Sequence, residues 1–222
     1  LREAHFPLEI VFARPSRTAA ISVTGAECAL NCPHCQGRYL RGMTPIWQAQ
    51  PTEATSCLIS GGCDSQGRVP VRPHLDQLRQ LARGRRLNWH VGFISEEEMA
   101  EIAPLVDVVS FDMVGDEATI RQVYGLPYSV DDYIAAYRMI GRYARVVPHI
   151  TIGLHSGRVL GEREAIKRLQ EAGLSALVFI ILIPTRGTAY EHCQPPPPDQ
   201  VGDLLAFARY ILPDTPLYLG CM

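Results

Sequence analysis

The sequence predicts an α/β fold, a partial (β/α)6-type barrel of the TIM kind, on three observations. Apolar, β-branched segments alternate with amphipathic helical patterns along nearly the whole chain. No Gly-x-Gly-x-x-Gly follows the first of these segments, so the structural alternative, a doubly wound dinucleotide fold, lacks its phosphate turn. Unusual residues also gather at the C-terminal ends of many strands rather than at one crevice, and those ends are where a barrel builds its site.

Residues 1–17 (LREAHFPLEIVFARPSR) form a short N-terminal extension without the charged-then-apolar layout of a signal peptide. The strand candidates are 18–25, 55–62, 86–93, 106–114, 144–154 and 175–184, each β-branched or apolar and ending near Gly, Pro or Ser. They are apolar on both sides, as strands are in a parallel sheet covered by helices. Helical patterns fill the intervals at 72–84, 95–105, 129–144 and 161–173. Ser129 followed by Asp132 is a start signal, and Gly173 a stop. A further helix, 197–211, follows the stiff proline run Pro195–Pro198, and PLYLG (216–220) is a candidate last strand. With 222 residues and 47% hydrophobic content, the expectation is a single domain over 1–222 with its core at about 18–221.

The charge balance narrows the classes. A net charge of −2 gives no electrostatic footprint for nucleic acid, and 20% charged residues argue against disorder. Lys167 is the only lysine, which reads as compositional bias and not as a binding device. The longest apolar run, 176–184, is far short of the roughly 20 residues that a membrane span needs. The expected location is therefore cytoplasmic and reducing, with no membrane partner. There, clustered thiols serve as metal ligands or catalysts more often than as bridges.

The thiols do cluster. In AISVTGAECALNCPHC, the stretch leaving the first strand, Cys28, Cys32 and Cys35 are spaced C-x3-C-x2-C. Three thiolates on one loop can hold three irons of a cubane cluster and leave the fourth free for a substrate or cofactor. Structural zinc wants four ligands, commonly in two separated pairs, and His34 would be an awkward fourth beside Cys35.

At these residues the chain resembles the radical S-adenosylmethionine (SAM) enzymes, whose motif C-x3-C-x-aromatic-C follows the first strand of a partial barrel. His34 stands in the aromatic slot. The resemblance implies a [4Fe–4S] cluster on Cys28, Cys32 and Cys35 with SAM on its open iron, His34 beside it. Ser60, Gly61 and Gly62 resemble the motif that meets the methionine amino group. Ser110 and Asp112 resemble the pair that holds the SAM ribose. Residues 148–162, with His149 and Gly153, resemble the glycine motif of the following strand, and 183–188 the segment beside the adenine. His149, like His90, reads either as a hydrogen-bonded barrel-interior histidine or as a contact to SAM or substrate.

A narrower resemblance, to biotin-synthase homologues that include subunits of two-component lipoyl synthases, rests on residues 20–43, 106–126, 146–159 and 219–222. It implies a sulfurtransferase that inserts sulfur into an octanoyl chain. Its partners would be a second radical SAM subunit, an octanoylated carrier protein and an electron donor such as ferredoxin or flavodoxin. The rivals are another radical SAM reaction on a small molecule, and a non-catalytic iron–sulfur or zinc scaffold. Sulfur insertion needs a donor, and Cys63, Cys193 and Cys221 follow strand candidates, so a barrel turns them toward one mouth as possible ligands of an auxiliary cluster. Three unrelated loop thiols are the alternative. Cys57, early in its strand, belongs to the packing.

Overall fold

The computed structural model describes residues 11–12, 16–50 and 53–220. Its sheet has eight strands: β1 (Thr18–Ser22), β2 (Thr44–Pro45), β3 (Ser56–Ser60), β4 (Arg86–His90), β5 (Val108–Asp112), β6 (Val146–Ile152), β7 (Leu177–Ile181) and β8 (Leu217–Leu219). Every neighbouring pair is parallel, and the order is β2-β1-β3-β4-β5-β6-β7-β8. From β3 onward the order follows the chain without reversal. A doubly wound sheet must reverse at its switch point, whereas crossovers of constant hand in one direction roll the sheet into a barrel. Among the described residues β2 and β8 do not pair with each other, so the barrel stays open.

All six expected strands are present, and PLYLG supplies β8. The two-residue β2 gave no periodic signal and is an addition to the expected frame. The outer cover consists of α1 (Leu75–Ala82), α2 (Glu96–Ile102), α3 (Val130–Gly141), α4 (Glu162–Ala172) and α5 (Pro198–Ile211). Ser129 and Asp132 close a capping box on α3, satisfying amide donors that the first turn leaves unpaired. Ser95 caps α2, whose first turn carries Glu96, Glu97 and Glu98 at the positive end of the helix dipole. Gly173 ends α4 at φ 81°. A short helical turn, Glu117–Thr119, runs into a π-turn, Ile120–Tyr124, that the periodicity did not announce.

The two faces of the sheet have different chemistry. Cys57 and Ile59 of β3, Leu87 and Trp89 of β4, Val146, Ile150 and Ile152 of β6, and Leu177 and Phe179 of β7 are buried in one core with the helices. The alternate positions, Leu58, Asn88, His149, Thr151 and Ile180 among them, line a cavity inside the barrel. The strands therefore present a dry outside to the helices and a partly polar inside to the chamber.

Candidate active site in the barrel mouth

The loop between β1 and β2 is held to the sheet by its own polar groups. Ser22 Oγ donates to the Gly25 carbonyl (2.7 Å), Thr24 Oγ1 donates to the Glu27 carbonyl (2.9 Å), and Gly62 N donates to Thr24 Oγ1 (2.7 Å). Ala29 N donates to the Cys63 carbonyl (2.8 Å), so the loop lies flat against the end of β3. At Gly62 an added Cβ would sit 2.6 Å from Cys28 Cα and inside contact distance of the Glu27 carbonyl; only glycine allows this approach. The thiol loop then turns tightly: Cys35 N and Gln36 N both donate to the Cys32 carbonyl (3.1 and 2.9 Å), with Asn31 and Gln36 at positive φ.

A second clamp comes from the segment after β7. Arg38 Nε donates to the Gly187 carbonyl (3.1 Å), Tyr39 Oη pairs with Thr185 Oγ1 (2.8 Å), Ala189 N donates to Gln36 Oε1 (2.8 Å), and Tyr190 N donates to the Pro33 carbonyl (3.2 Å). This is where the expected adenine-side segment 183–188 lies. The contacts span about 150 positions of sequence, which no local pattern reveals.

The thiols feel one another. The interaction between the Cys32 and Cys35 thiols pulls Cys35 down and, with burial and the fields of Cys35, Cys28 and Cys63, pushes Cys32 up. His34 also lowers Cys35. Cys63 is pushed up to about 12, first by burial and then by Cys28, Asp112, Asp64 and Cys35. Such a cluster of soft donors gains from a cation that replaces its protons. Among the described residues no three His, Cys, Asp or Glu side chains converge as a single-ion site. In a cubane each thiolate takes a different iron, so three soft thiolates on one loop suffice. The donor set therefore fits an iron–sulfur cluster, with an open cavity of about 1510 Å³, counted to its mouth, beside it.

Cys28, Cys32, Cys35, His34, Ser60, Gly61, Gly62, Asp112, His149 and Cys63 all line this cavity. Ser110 lines the chamber that continues it under β4 and β5, where its Oγ donates to Asn88 Oδ1 (3.1 Å). Other expected residues are placed elsewhere. Gly153 turns at φ 77° against Pro196, its N–H donates to Glu162 Oε1 (2.7 Å), and it is not among the residues lining the cavity. Its role here is the turn that feeds α4. Cys193 lies in the loop after β7, its N–H donating to the Tyr190 carbonyl, and is not among the lining residues. Cys221 lies outside the described residues. Cys57 is buried in the outer core. Arg163, in the first turn of α4, stacks on Phe207 at 4.6 Å. Sequence reasoning missed Asn88, Thr151 and Tyr124 as cavity residues; their signal was the unburied phase of each strand and, for Tyr124, none.

No protein-family model and no curated protein matches the sequence. Solved structures do match its shape. Methylornithine synthase aligns with TM-score 0.68 at 11% identity over 90% of this chain and 63% of that one. Streptococcus suis SuiB, bound to S-adenosylmethionine, aligns at 0.62 and 11% identity over 93% of this chain and 50% of that one. Escherichia coli coproporphyrinogen III oxidase, described as a radical SAM enzyme, aligns at 0.55 and 11% identity over 90% and 53%. The chain thus spans between half and 63% of the length of these proteins. No helix of the described residues is long and apolar enough to cross a membrane. At this level of identity the likeness establishes architecture: the chain has the partial (β/α) barrel fold found in radical SAM enzymes.

Proposed function

We propose that the chain is a radical SAM enzyme that binds a [4Fe–4S] cluster through Cys28, Cys32 and Cys35 and SAM through the adjoining mouth. The observation that carries this reading is the C-x3-C-x2-C loop opening on the same cavity as Ser60–Gly62 and Asp112. When bound, the cluster and SAM supply a 5′-deoxyadenosyl radical able to take hydrogen from an unactivated C–H. The chain's own contribution is placement. Gly61 and Gly62 bring bare backbone to the loop, Asp112 offers a carboxylate to hydroxyl or ammonium groups, and the clamp from 185–190 ties the thiol loop to the segment after β7. The test is anaerobic reconstitution followed by measurement of 5′-deoxyadenosine. Cys32→Ala removes a thiolate without a replacement and is expected to abolish both bound iron and product. Full product from that variant rejects the proposal.

A second, finer reading is sulfur insertion into an octanoyl chain on a carrier protein, in a lipoyl-synthase-type pair with a second radical SAM subunit and a ferredoxin or flavodoxin donor. In its favour stands Cys63, a further thiol in the field of the triplet. Cys193 adds no support, since it does not line the cavity. This reading expects about eight irons per chain, and a chain with no auxiliary cluster about four.

A further inference from the structure

The floor of the barrel, below the thiol loop, carries polar groups that the protein leaves unanswered. His90 ends β4 half-buried, and its ring forms no hydrogen bond with any described residue while lining both the main cavity and its extension. His149, on β6, meets it edge to face at 5.5 Å between ring centres, and His149 Nδ1 is shut away from water without a partner. Asn88, one inward position below His90, has its carbonyl oxygen engaged by Ser110, and its amide nitrogen has no partner among the described residues. Thr151 and Asp112 open on the same space. His149 Nδ1 is the fully buried one of these, and an unpaired buried polar group is costly and is kept where a ligand or ordered water answers it; Asn88 and His90 stand half-buried on the wall of the same cavity.

We propose that Asn88, His90 and His149 form the subsite for the reacting substrate, and that it takes an uncharged hydrogen-bonding group, such as an amide or hydroxyl. Three features define that class. The imidazoles are held neutral: burial pushes both below their ordinary value, against the pull of Asp112. A neutral imidazole offers one donor and one acceptor, a match for an amide. Neither the cavity nor its extension is lined by any arginine or lysine, so a carboxylate or phosphate would enter with no cation to meet it and with Asp112 opposing it. A bare alkyl chain would leave all these groups dry and unpaired, although Leu58 and Ile180 give it some apolar wall. The inference rests on the reading of the cavity as a SAM-dependent reaction chamber, and its polar floor competes with the acyl-chain reading.

The test uses three probes with one ring and one substituent: nicotinamide, nicotinate and toluene, titrated calorimetrically into anaerobically reconstituted protein with SAM present. Nicotinamide is expected to bind about tenfold or more tighter than either of the others. His90→Phe is expected to lose about that factor, while His90→Gln, which keeps a donor and an acceptor, stays within about threefold. Asn88→Leu, on the same floor, carries the same expectation as His90→Phe and guards against a folding defect in that variant. Equal or tighter binding of toluene or nicotinate, or nicotinamide binding unchanged in both His90→Phe and Asn88→Leu, overturns the proposal. Deoxyadenosine formation by the wild-type protein is read separately. If it occurs while toluene or nicotinate wins, the subsite assignment falls and the radical SAM reading stands. If it fails while nicotinamide binds through His90, a site for an uncharged hydrogen-bonding group stands, and its assignment to the reacting substrate falls together with that reading.

Discussion

At the scale of single residues, the site depends on groups that cannot be exchanged for near neighbours. Gly62→Ala would drive a methyl group into the Glu27 carbonyl and Cys28 Cα, both backbone, so relief requires moving the thiol loop itself. A loss of about 1–3 kcal/mol in stability is expected from overpacking of this kind. The more telling readout is iron retention after reconstitution: wild-type iron content in Gly62→Ala would show that the loop tolerates displacement. Cys63 is the other decisive residue. Kept protonated by burial and by its acidic neighbours, it is poised as a thiol until a metal replaces the proton. If it ligates a second cluster, Cys63→Ala drops iron from about eight to about four per chain and removes the thiolated octanoyl product. An unchanged iron count removes Cys63 from the ligand set.

At the scale of elements, the thiol loop is a long connection between β1 and the two-residue β2 whose only regular element among the described residues is the single 3-10 turn Tyr39–Gly42, and it is ordered by caps and clamps instead of a ladder. Thr24 is the joint, since its hydroxyl donates to the Glu27 carbonyl and accepts from Gly62 N. Thr24→Val keeps the shape and deletes both bonds, leaving Gly62 N without its acceptor. The expected cost is about 1–3 kcal/mol, seen as a lower denaturation midpoint, together with faster loss of iron to a chelator. A midpoint equal to wild type would mean that the remaining contacts, Ala29–Cys63 and the clamp from 185–190, hold the loop without Thr24. Sequence reasoning located this loop between a strand and a gap, yet it could not supply the clamp from 185–190, whose Arg38–Gly187 and Gln36–Ala189 bonds link distant stretches.

At the scale of the whole molecule, the barrel places two neutral histidines in its interior, and this has a pH signature. Both folded-state values lie below the ordinary 6.5, because burial disfavours the imidazolium. Below about pH 6.5 the unfolded chain therefore binds more protons than the folded one, and stability is lost as pH falls from there through the folded values. It is fully present above that range. A thermal midpoint measured at pH 7.5 and 5.5 is expected to fall on acidification, and the fall is expected to shrink in His90→Asn. Glu162, whose burial raises its carboxyl, acts in the opposite sense and is common to both proteins, so the difference isolates His90. An equal fall in the two proteins would place the acid sensitivity elsewhere.

The sequence by itself determined the sheet and the location of the thiols. Apolar β-branched runs alternating with capped helices suffice for a parallel sheet, because each such segment can bury its two faces only between helices, and Cys28, Cys32 and Cys35 share one short loop whatever the fold does. Tertiary structure alone decided which strand positions face the chamber and which polar groups meet there. Asn88 and His90 alternate with the buried Leu87 and Trp89, and the two-residue period gives the alternation but not which phase points inward. Gly153 and Cys193, grouped with the site by their place after strands, are not among the residues lining the cavity: Gly153 turns against Pro196 and Cys193 sits in the loop after β7. The direction in which a side chain leaves a loop is set by distant contacts such as these, and a local pattern holds no record of them.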